Sequence, residues 1–441
     1  MLKQADNDLL SRVGPATPMG RLMRQYWLPA CLSEEIAEPG GAPVRVELLS
    51  DRLVAFRGSD GRVGVLDEQC PHRRASLVLA RNEACGLRCL YHGWKIEADG
   101  AVSDIPSEPE DSRLHGRVRT GAYPVRESGG LVWTYLGPAG PVPDFLPPPW
   151  AGKEFRIAKI HQRCNWAQSL EGAIDSAHSS ALHSSNIRPG GPGARTRAAE
   201  GGTVSVLSRP SADRAPRIAV EMTEYGFRYA AIRRPTARAE THDYVRITAF
   251  VAPFLAIIPP NAHYSPNQLH VPLDDENAMF YAIAAADRLT FDDAVWRERQ
   301  GARVGIDLDR HYRKIRTPEN DYLQDRELMK AGDFSGIRGI PTQDMAMQET
   351  MGPIVDRTRE TLGASDLAIV RFRRLMLDAA RRFAAGEPAL GMVAPRLPLT
   401  EIRAFEGVVP KAMDWRSLAA PPSRGGRIPR RRAARPAPSR R

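Results

Sequence analysis

Two short segments with the same pair of metal-binding residue types constrain this chain most. Cys70-Pro-His72 is followed, after sixteen intervening residues, by Cys89-Leu-Tyr-His92. Each segment offers one thiolate and one imidazole, and both lie among short alternating runs of the kind that form β-strands. Four such side chains converge most simply when two loops of a β-scaffold present them. The pattern therefore predicts an all-β domain that carries a metal centre.

The mixed Cys–His pairs favour an iron–sulfur cluster over zinc. A Rieske [2Fe–2S] centre holds one iron through two thiolates and the other through two imidazoles, which one Cys and one His per loop supply. A structural Cys2His2 zinc site is the alternative, but zinc fingers usually pair Cys with Cys and His with His. We predict a Rieske cluster with the ligands Cys70, His72, Cys89 and His92.

A second candidate metal site follows a proline-rich stretch. The residues from Asn165 to His183 predict a helix that carries Asp175 and His178 on one face. His178 and His183 would point about 140° apart on a straight helix, so shared ligation requires a π-bulge, a bend or a helix end between them. Two imidazoles and one carboxylate leave positions open on Fe(II) for O2 and substrate, and the carboxylate must come from elsewhere in the chain. Solvated histidines on a polar helix face are the alternative, but the preceding Rieske motif favours iron.

Length, charge and cysteine content limit the remaining possibilities. A chain of 441 residues is long for one core, so two domains are expected. The net charge of +10 is misleading as a nucleic-acid signal, because residues 424–441 hold eight arginines and no acid, which leaves only +2 for the rest. Five cysteines argue against a disulfide framework. No segment suits a membrane helix or a secretion signal, so we expect a cytoplasmic protein that binds neither membrane nor nucleic acid.

The order of the elements predicts an α+β fold. Strand-like runs dominate the first part, and an antiparallel sheet with helices packed over it is expected in the second. Helices are predicted near 291–302, 341–362 and 366–385, and a Gly/Arg-rich loop at 188–203. The predicted division is residues 1–26 as an N-terminal helical segment packing on the catalytic domain, 27–140 as the Rieske domain, 141–152 as a Pro-rich linker, 153–415 as the catalytic domain and 416–441 as a disordered Arg/Pro-rich tail.

The order of these motifs resembles the Rieske non-haem iron ring-hydroxylating oxygenases. The likeness runs from about residue 8 to 415 and is closest to the branch of phthalate 4,5-dioxygenase, phenoxybenzoate dioxygenase and chlorobenzoate dioxygenase oxygenase components. It is carried by the segments VGPATPMGRLMRQYWLPA, DIPSEPEDSR, AYPVRESGGLVWTYLGP and GIPTQDMAMQETMGPIVDRTRETLGASD.

The resemblance implies roles that the spacing alone does not. It implies a START-like, helix-grip catalytic domain with a mononuclear iron whose third ligand is Asp344. Asn165 belongs to the matching catalytic motif. Asp175 would be an electron-transfer bridge between an iron-bound His and a cluster His of a neighbouring subunit, in a homotrimer or a stack of two trimers. Relatives usually have Gly where this chain has Arg74.

The resemblance also implies a terminal oxygenase that acts with O2 on a small aromatic acid. A separate flavin- and ferredoxin-containing reductase would supply electrons, since the chain lacks a convincing nucleotide-binding Gly-x-Gly-x-x-Gly motif. In phthalate-type relatives arginines hold the substrate carboxylate. Strand alternation places Tyr244 and Arg246 on one face, and Arg209 is a second candidate, although a structural ion pair is the alternative for each arginine.

We expect cis-dihydroxylation of a phthalate- or benzoate-like acid. Monooxygenation or O-demethylation of a methoxylated or phenoxy aromatic is the alternative. A non-catalytic electron carrier is a third interpretation, which the chain length and the second set of metal-binding residues, His178, His183 and Asp344, oppose.

Overall fold

The computed structural model describes residues 1–190, 207–259 and 264–420. Its α-helices are α1 Gln4–Ser11, α2 Pro18–Met23, α3 Trp166–Ala173, α4 Asp293–Gln300, α5 Arg326–Lys330, α6 Ile340–Thr350 and α7 Leu367–Ala384. Short 3₁₀ segments lie at Ser33–Ile36, Leu77–Leu79, His178–Ser180, Pro318–Leu323, Ala364–Asp366, Leu399–Glu401 and Trp415–Ser417. In the part of the chain that the structure describes, no helix is both long and apolar enough to cross a membrane.

The strands form an all-β first part and a large sheet in the second. They are β1 Trp27–Leu32, β2 Val44–Leu48, β3 Asp51–Arg57, β4 Val63–Asp67, β5 Arg81–Glu83, β6 Gly86–Arg88, β7 Lys95–Glu97, β8 Val102–Asp104, β9 Val125–Ser128, β10 Leu131–Tyr135, β11 Glu154–Gln162, β12 Ile187–Pro189, β13 Leu207–Arg209, β14 Arg217–Thr223, β15 Gly226–Arg233, β16 His242–Val251, β17 Leu255–Ile257, β18 Ser265–Pro272, β19 Ala278–Ala286 and β20 Phe405–Pro410.

Three small antiparallel sheets build the first part. Their strand orders are β1-β10-β9, β2-β3-β4 and β5-β6-β7-β8. A compact apolar cluster that includes Phe56, Leu87 and Ile96 also contains Cys70 and Cys89. The two Cys–His loops therefore start from the core of this part, which holds their first residues in place.

One antiparallel sheet organises the second part. Its order is β11-β19-β18-β17-β16-β15-β14, and β20 pairs with β16. The amphipathic helix α7 buries Phe372 and Met376 in the core and contacts β14 and β15, while α1 and α2 pack against α7. This arrangement of helices over an antiparallel sheet confirms the predicted α+β class.

Two predicted helices are wrong in extent. The helix expected from Asn165 through His183 ends at Ala173, and the Asp175 carboxylate instead accepts a hydrogen bond from the Ala177 N–H at 2.7 Å. Such a side-chain turn competes with the helical backbone pattern. The helix predicted over 341–362 ends at Thr350, since Gly352 and Pro353 follow.

The predicted loop at 188–203 and the predicted C-terminal tail both lie partly outside the described residues. Most of the predicted loop at 188–203 lies outside the described residues, which end at 190 and resume at 207. Within the predicted tail, the carbonyls of Arg416 and Leu418 accept hydrogen bonds from buried Arg228, so ordered packing continues past residue 416. Residues 421–441 lie outside the described residues.

Candidate active site and metal centres

The two Cys–His loops share one backbone form. In the first, the Arg74 N–H donates to the Cys70 carbonyl at 2.9 Å; in the second, the Gly93 N–H donates to the Cys89 carbonyl at 3.0 Å. The donor residue stands four places after the cysteine in both loops and has positive φ, 65° at Arg74 and 76° at Gly93. A side chain costs roughly 1–2 kcal/mol in this left-handed conformation. This strain is a physical reason to expect glycine rather than arginine at position 74.

The side chains of these loops fit an iron–sulfur cluster. The Cys70 and Cys89 side chains are buried, and burial, reinforced by the neighbouring Cys89 thiol, raises the pKa of Cys70 to about 11. The His72 and His92 rings lie together at 4.4 Å between centroids, and His72 stacks on Trp94. The His72 Nδ1 atom is buried without a hydrogen-bond partner among the described residues. Two adjoining thiols and two adjoining imidazoles, one with an orphaned nitrogen, are the donor set of a Rieske cluster.

A second donor set lies in the other domain. His178 Nε2 is 3.2 Å from His183 Nε2, and Asp344 Oδ1 is 3.4 Å from the first and 2.9 Å from the second. Ligands at about 2.1 Å and at right angles around one ion are about 3 Å apart, so this triangle suits one face of an octahedral metal. Among the described residues, these three form the one group of three or more His, Cys, Asp or Glu side chains whose ligand atoms all lie within 4.8 Å of one another.

The end of α3 makes this convergence possible. His178 lies in the short 3₁₀ turn after the helix and His183 in the turns that follow, while Asp344 comes from α6. A helix running through His183 would have separated the two imidazoles, as their spacing predicts. The distortion required by the sequence is therefore a helix end that precedes both histidines.

Hydrogen bonds set the orientation of both imidazoles. The Gln343 amide donates to the Ile337 carbonyl at 2.7 Å, which leaves its Oε1 to accept from His183 Nδ1 at 2.7 Å. His178 Nδ1 is 3.3 Å from Asp175 Oδ2. These partners favour a proton on Nδ1 of both rings, which would leave each Nε2 lone pair for a metal ion bound beside Asp344. Outer partners of this kind are usual for metal-binding histidines.

The electrostatics of this site favour a bound cation. Burial alone would lower the pKa of His178, but hydrogen bonds to Asp175 and Asp344 outweigh it and raise the pKa to about 10. Burial alone would raise the pKa of Asp344, but the imidazoles of His183 and His178 hold that pKa well below its usual range. The carboxylates of Asp175 and Asp344 thus stabilise positive charge beside the two histidines, and a bound divalent metal ion would be stabilised in the same way.

A cavity of about 800 Å³ opens from this second metal site. Asp344 and both histidines line it, together with Tyr229 and Arg246 from the central strands. The volume suits a small aromatic molecule held directly against the metal-binding residues.

Three buried arginines stand beside this cavity. Arg209, Arg233 and Arg246 are 5%, 2% and 9% exposed, and Glu406 is the carboxylate next to them. Glu406 lies opposite Arg246 in the β16–β20 pair, with one Arg246 nitrogen 4.0 Å from its Oε1. Neither Arg209 nor Arg233 forms an ion pair among the described residues. Burial and the two neighbouring arginines lower the pKa of Arg233 to about 10.

The arginine cluster also supports the segment after α3 that carries His178. Arg209 donates to the hydroxyls of Ser179 and Ser180, both at 3.3 Å, and Arg233 donates to the Ser176 carbonyl at 2.7 Å. The Arg209 Nε and the Arg233 Nε and Nη1 atoms are buried without partners among the described residues. The cluster therefore retains donor capacity that the described protein groups do not use.

The remaining predicted residues have other surroundings. Asn165 is fully buried and caps α3: its Oδ1 accepts from Ala167 N at 3.1 Å, and its amide donates to the carbonyls of Ser11 and Asp275. It does not line the cavity, and neither does Tyr244, whose hydroxyl donates to Glu406. Arg209 stands behind the cavity wall, whereas Arg246 lines it.

Several residues of the site escaped prediction from the sequence. Arg233 alternates with Tyr229 along β15 and pairs with Tyr244 across the sheet, so strand periodicity could have placed it on this face. Glu406 reaches the site through pairing of β20 with β16, which no local pattern reveals. Gln343 directly precedes Asp344 in the sequence, but no local pattern identifies it as the partner of His183.

The fold and the two donor sets define an iron–sulfur protein with a separate mononuclear metal site. A model of the Rieske [2Fe–2S] domain matches residues 26–124, and a model described as LigXa C-terminal domain like matches residues 134–430. The chain is 53% identical to the phthalate 4,5-dioxygenase oxygenase subunit of Pseudomonas putida, over 95% of each chain. It is 37% identical to the 3-chlorobenzoate-3,4-dioxygenase oxygenase subunit of Comamonas testosteroni, over 93% of this chain and 96% of that one.

Solved structures agree with this fold. The QL mutant of NdmA from Pseudomonas putida CBB5, with caffeine, superposes with a TM-score of 0.57 at 17% identity, over 84% of this chain and 94% of that one. Oxygenase–ferredoxin complexes of carbazole 1,9a-dioxygenase also match. The chain belongs to the family of Rieske non-haem iron ring-hydroxylating oxygenase subunits. It is an enzyme component whose cofactors are a Rieske [2Fe–2S] cluster and a mononuclear iron.

Proposed function

We propose that this terminal oxygenase hydroxylates an aromatic acid that carries two carboxylates, of the phthalate type. The reaction adds both atoms of O2 to adjacent ring carbons and consumes two electrons and two protons, giving a cis-dihydrodiol. The observation that carries the proposal is the buried arginine cluster, because its charge exceeds that of the surrounding carboxylates. The 53% identity to a phthalate 4,5-dioxygenase oxygenase subunit supports the same substrate class.

The charge balance favours a dianion over a monoanion. Arg209, Arg233 and Arg246 bring three positive charges, and Glu406 supplies one negative charge. Two guanidinium groups are left without a carboxylate among the described residues, and buried charges of this kind are unfavourable unless they are paired. Planar guanidinium groups match carboxylates geometrically. Of the three arginines Arg246 lines the cavity, and a substrate with two carboxylates bound there would offset the excess positive charge of the cluster.

We assign the metal ligands on the geometry of the two donor sets. The proposed cluster ligands are Cys70, His72, Cys89 and His92, and the proposed mononuclear iron ligands are His178, His183 and Asp344. When bound, the mononuclear iron supplies O2 activation and the cluster supplies an electron.

The protein side chains would then orient the reactants. Arg246 would bind a substrate carboxylate directly, Arg209 and Arg233 would add positive charge behind it, and the cavity would direct the ring toward the face formed by His178, His183 and Asp344. Gln343 and Asp175 keep both imidazoles in the tautomer that presents Nε2.

Binding measurements test the substrate class. We expect Arg246→Ala to weaken phthalate binding by roughly 10- to 150-fold, which is the loss of one charge-assisted hydrogen bond. Binding of the neutral diamide phthalamide should change little. Calorimetric titration of the holoenzyme under anaerobic conditions measures both affinities, and the wild type should bind phthalate more tightly than benzoate.

Arg228 provides the matched control for that measurement. It is a buried arginine on the same strand as Arg233, but it faces Glu221 and the carbonyls of Arg416 and Leu418. Arg228→Ala should affect phthalate and phthalamide equally. If Arg246→Ala also weakened both ligands equally, Arg246 would be a structural residue and the assignment of the carboxylate site would be wrong.

We further propose a homo-oligomer in which the cluster of one subunit faces the iron of the next. Exposed apolar side chains beside the cluster loops and beside the proposed iron site support this association. Leu79, Leu90 and Tyr91 adjoin the cluster loops and are 70%, 63% and 56% exposed. On the catalytic domain, Met347 and Met351 lie on or directly after α6, which carries Asp344, and are 43% and 53% exposed. Such patches mark association surfaces, and a head-to-tail contact that closes gives a ring such as a trimer or stacked trimers.

The electron donor in this proposal is a separate NAD(P)H-dependent reductase with flavin and ferredoxin-type centres. The oxygenase–ferredoxin complexes among the matching structures support a protein donor. We also propose the domain division predicted from the sequence, with the Rieske domain at 27–140 and the catalytic domain at 153–415. A cytoplasmic location is proposed, and it is supported by the lack of a disulfide among the five cysteines, all of which are described residues.

A further inference from the structure

A buried histidine in the cavity has an unused nitrogen. His270, on β18, is 3% exposed and lines the same cavity as the proposed iron ligands. Its Nδ1 lies 2.6 Å from the Ser169 hydroxyl, whereas its Nε2 has no hydrogen-bond partner among the described residues. None of the proposed roles in metal or carboxylate binding uses this residue.

A chain of hydrogen bonds defines which nitrogen carries the proton. The Ser169 hydroxyl donates to Gln162 Oε1 at 2.6 Å, and the Gln162 amide donates to Gln348. Because the single Ser169 proton is used in this way, His270 Nδ1 must be the donor to Ser169 Oγ. Burial lowers the pKa of His270 to about 3, so the ring is neutral. His270 Nε2 therefore presents a lone pair and accepts hydrogen bonds.

A second acceptor lies on the same strand. Asn267 is 2% exposed and lines the cavity; its amide donates to the Ser265 carbonyl at 3.1 Å, and its Oδ1 has no partner among the described residues. Buried acceptors without a donor are unfavourable. The part of the cavity wall formed by β18 thus suits a ligand that donates hydrogen bonds, whereas the arginine cluster suits carboxylates.

We propose that His270 accepts a hydrogen bond from a ring hydroxyl of the aromatic acid, so that the cavity selects hydroxylated acids. The proposal rests on the proposed function, since the arginines are taken to hold the carboxylates. The hydroxyl has two sources: it is either present on the substrate or formed in the reaction. His270 is on this account a specificity-determining residue.

Affinities of two matched acids test the contact. Holoenzyme titrated anaerobically should bind 4-hydroxyphthalate roughly three- to tenfold more tightly than phthalate, the contribution of one hydrogen bond. His270→Leu should bring the affinities for the two acids to the same value, whereas His270→Gln, which keeps an acceptor, should retain part of the preference. His161→Leu is the control, because His161 also has an unpartnered ring nitrogen among the described residues but does not line the cavity.

The outcomes separate the two proposals. Equal affinity of the wild type for both acids, or a preference that survives in His270→Leu with an unchanged cluster spectrum, would overturn the role of His270. Failure of both acids to bind would instead overturn the proposed function. Consumption of 4-hydroxyphthalate with O2 uptake would assign the contact to substrate, and inhibition without consumption would assign it to product; both results support the contact.

Discussion

Replacing His183 with alanine is expected to abolish turnover while the visible spectrum of the Rieske cluster is unchanged. His183 is 3% exposed, and its Nε2 lies 2.9 Å from Asp344 Oδ1 and 3.2 Å from His178 Nε2. Mutation of a residue that only hydrogen-bonds to a metal ligand typically weakens metal binding by roughly 10- to 100-fold. Loss of the ligand itself should weaken iron binding by more than that. Bound iron should fall from about three to about two atoms per chain with no loss of acid-labile sulfide.

His311 offers a control for this substitution. It is exposed on the catalytic domain and lies outside the cavity, so His311→Ala should keep the third iron and full turnover. Retention of the third iron or of turnover in His183→Ala would remove His183 from the mononuclear site.

Asp175→Asn is expected to keep both metal sites filled yet to slow electron transfer between them by roughly 100-fold or more. Asp175 Oδ2 contacts His178 Nδ1 at 3.3 Å, and its side chain is 20% exposed, which leaves an edge for a donor from another subunit. We expect that donor to be His92 of a second copy. Asparagine has the same shape but no charge, so its bonds to two imidazoles are weaker. Stopped-flow oxidation of the reduced cluster, with substrate and O2, measures the rate.

Subunit mixing tests whether this transfer crosses between chains. Cys70→Ala removes a proposed cluster ligand and His183→Ala a proposed iron ligand, so each variant alone should be inactive. Reassembled mixtures should recover turnover, because the cluster of one chain serves the iron of another. Asp356→Asn is the control for Asp175→Asn: it changes an exposed carboxylate on the catalytic domain and should not alter the rate of cluster oxidation. Absence of recovery in mixed oligomers confirmed by mass would place transfer within one chain and refute the bridging role of Asp175.

The local motifs were sufficient to predict the chemistry of the site but not its full composition. One Cys and one His per loop indicate a Rieske cluster because ligand type and spacing are local properties. His183 follows His178 by five residues, a spacing at which the two could share a metal only if the helix were distorted. Only the structure shows that the helix already ends at Ala173. Asp344 required the family resemblance, since it is far from both histidines in the sequence.

The arginine cluster shows where prediction from a single sequence stops. Alternation along β16 identifies Arg246 as inward-facing, but the same strand places Tyr244 against Glu406 rather than in the cavity. Arg233 becomes significant only when β15 is paired with β16. Glu406 arrives from β20, near the end of the described chain, and strand pairing over such distances has no local signal. Charge balance in the cavity is therefore a tertiary property.

Isotope labelling tests the central claim most directly. Chemically reduced holoenzyme is mixed with phthalate under ¹⁸O2 for a single turnover, and the product is examined by mass spectrometry. We predict a ring cis-diol with both hydroxyl oxygens derived from the gas and both carboxylates unlabelled. A product without ¹⁸O, or consumption of O2 with recovery of unchanged phthalate, would contradict the assignment of this chain as a dioxygenase of aromatic dicarboxylic acids.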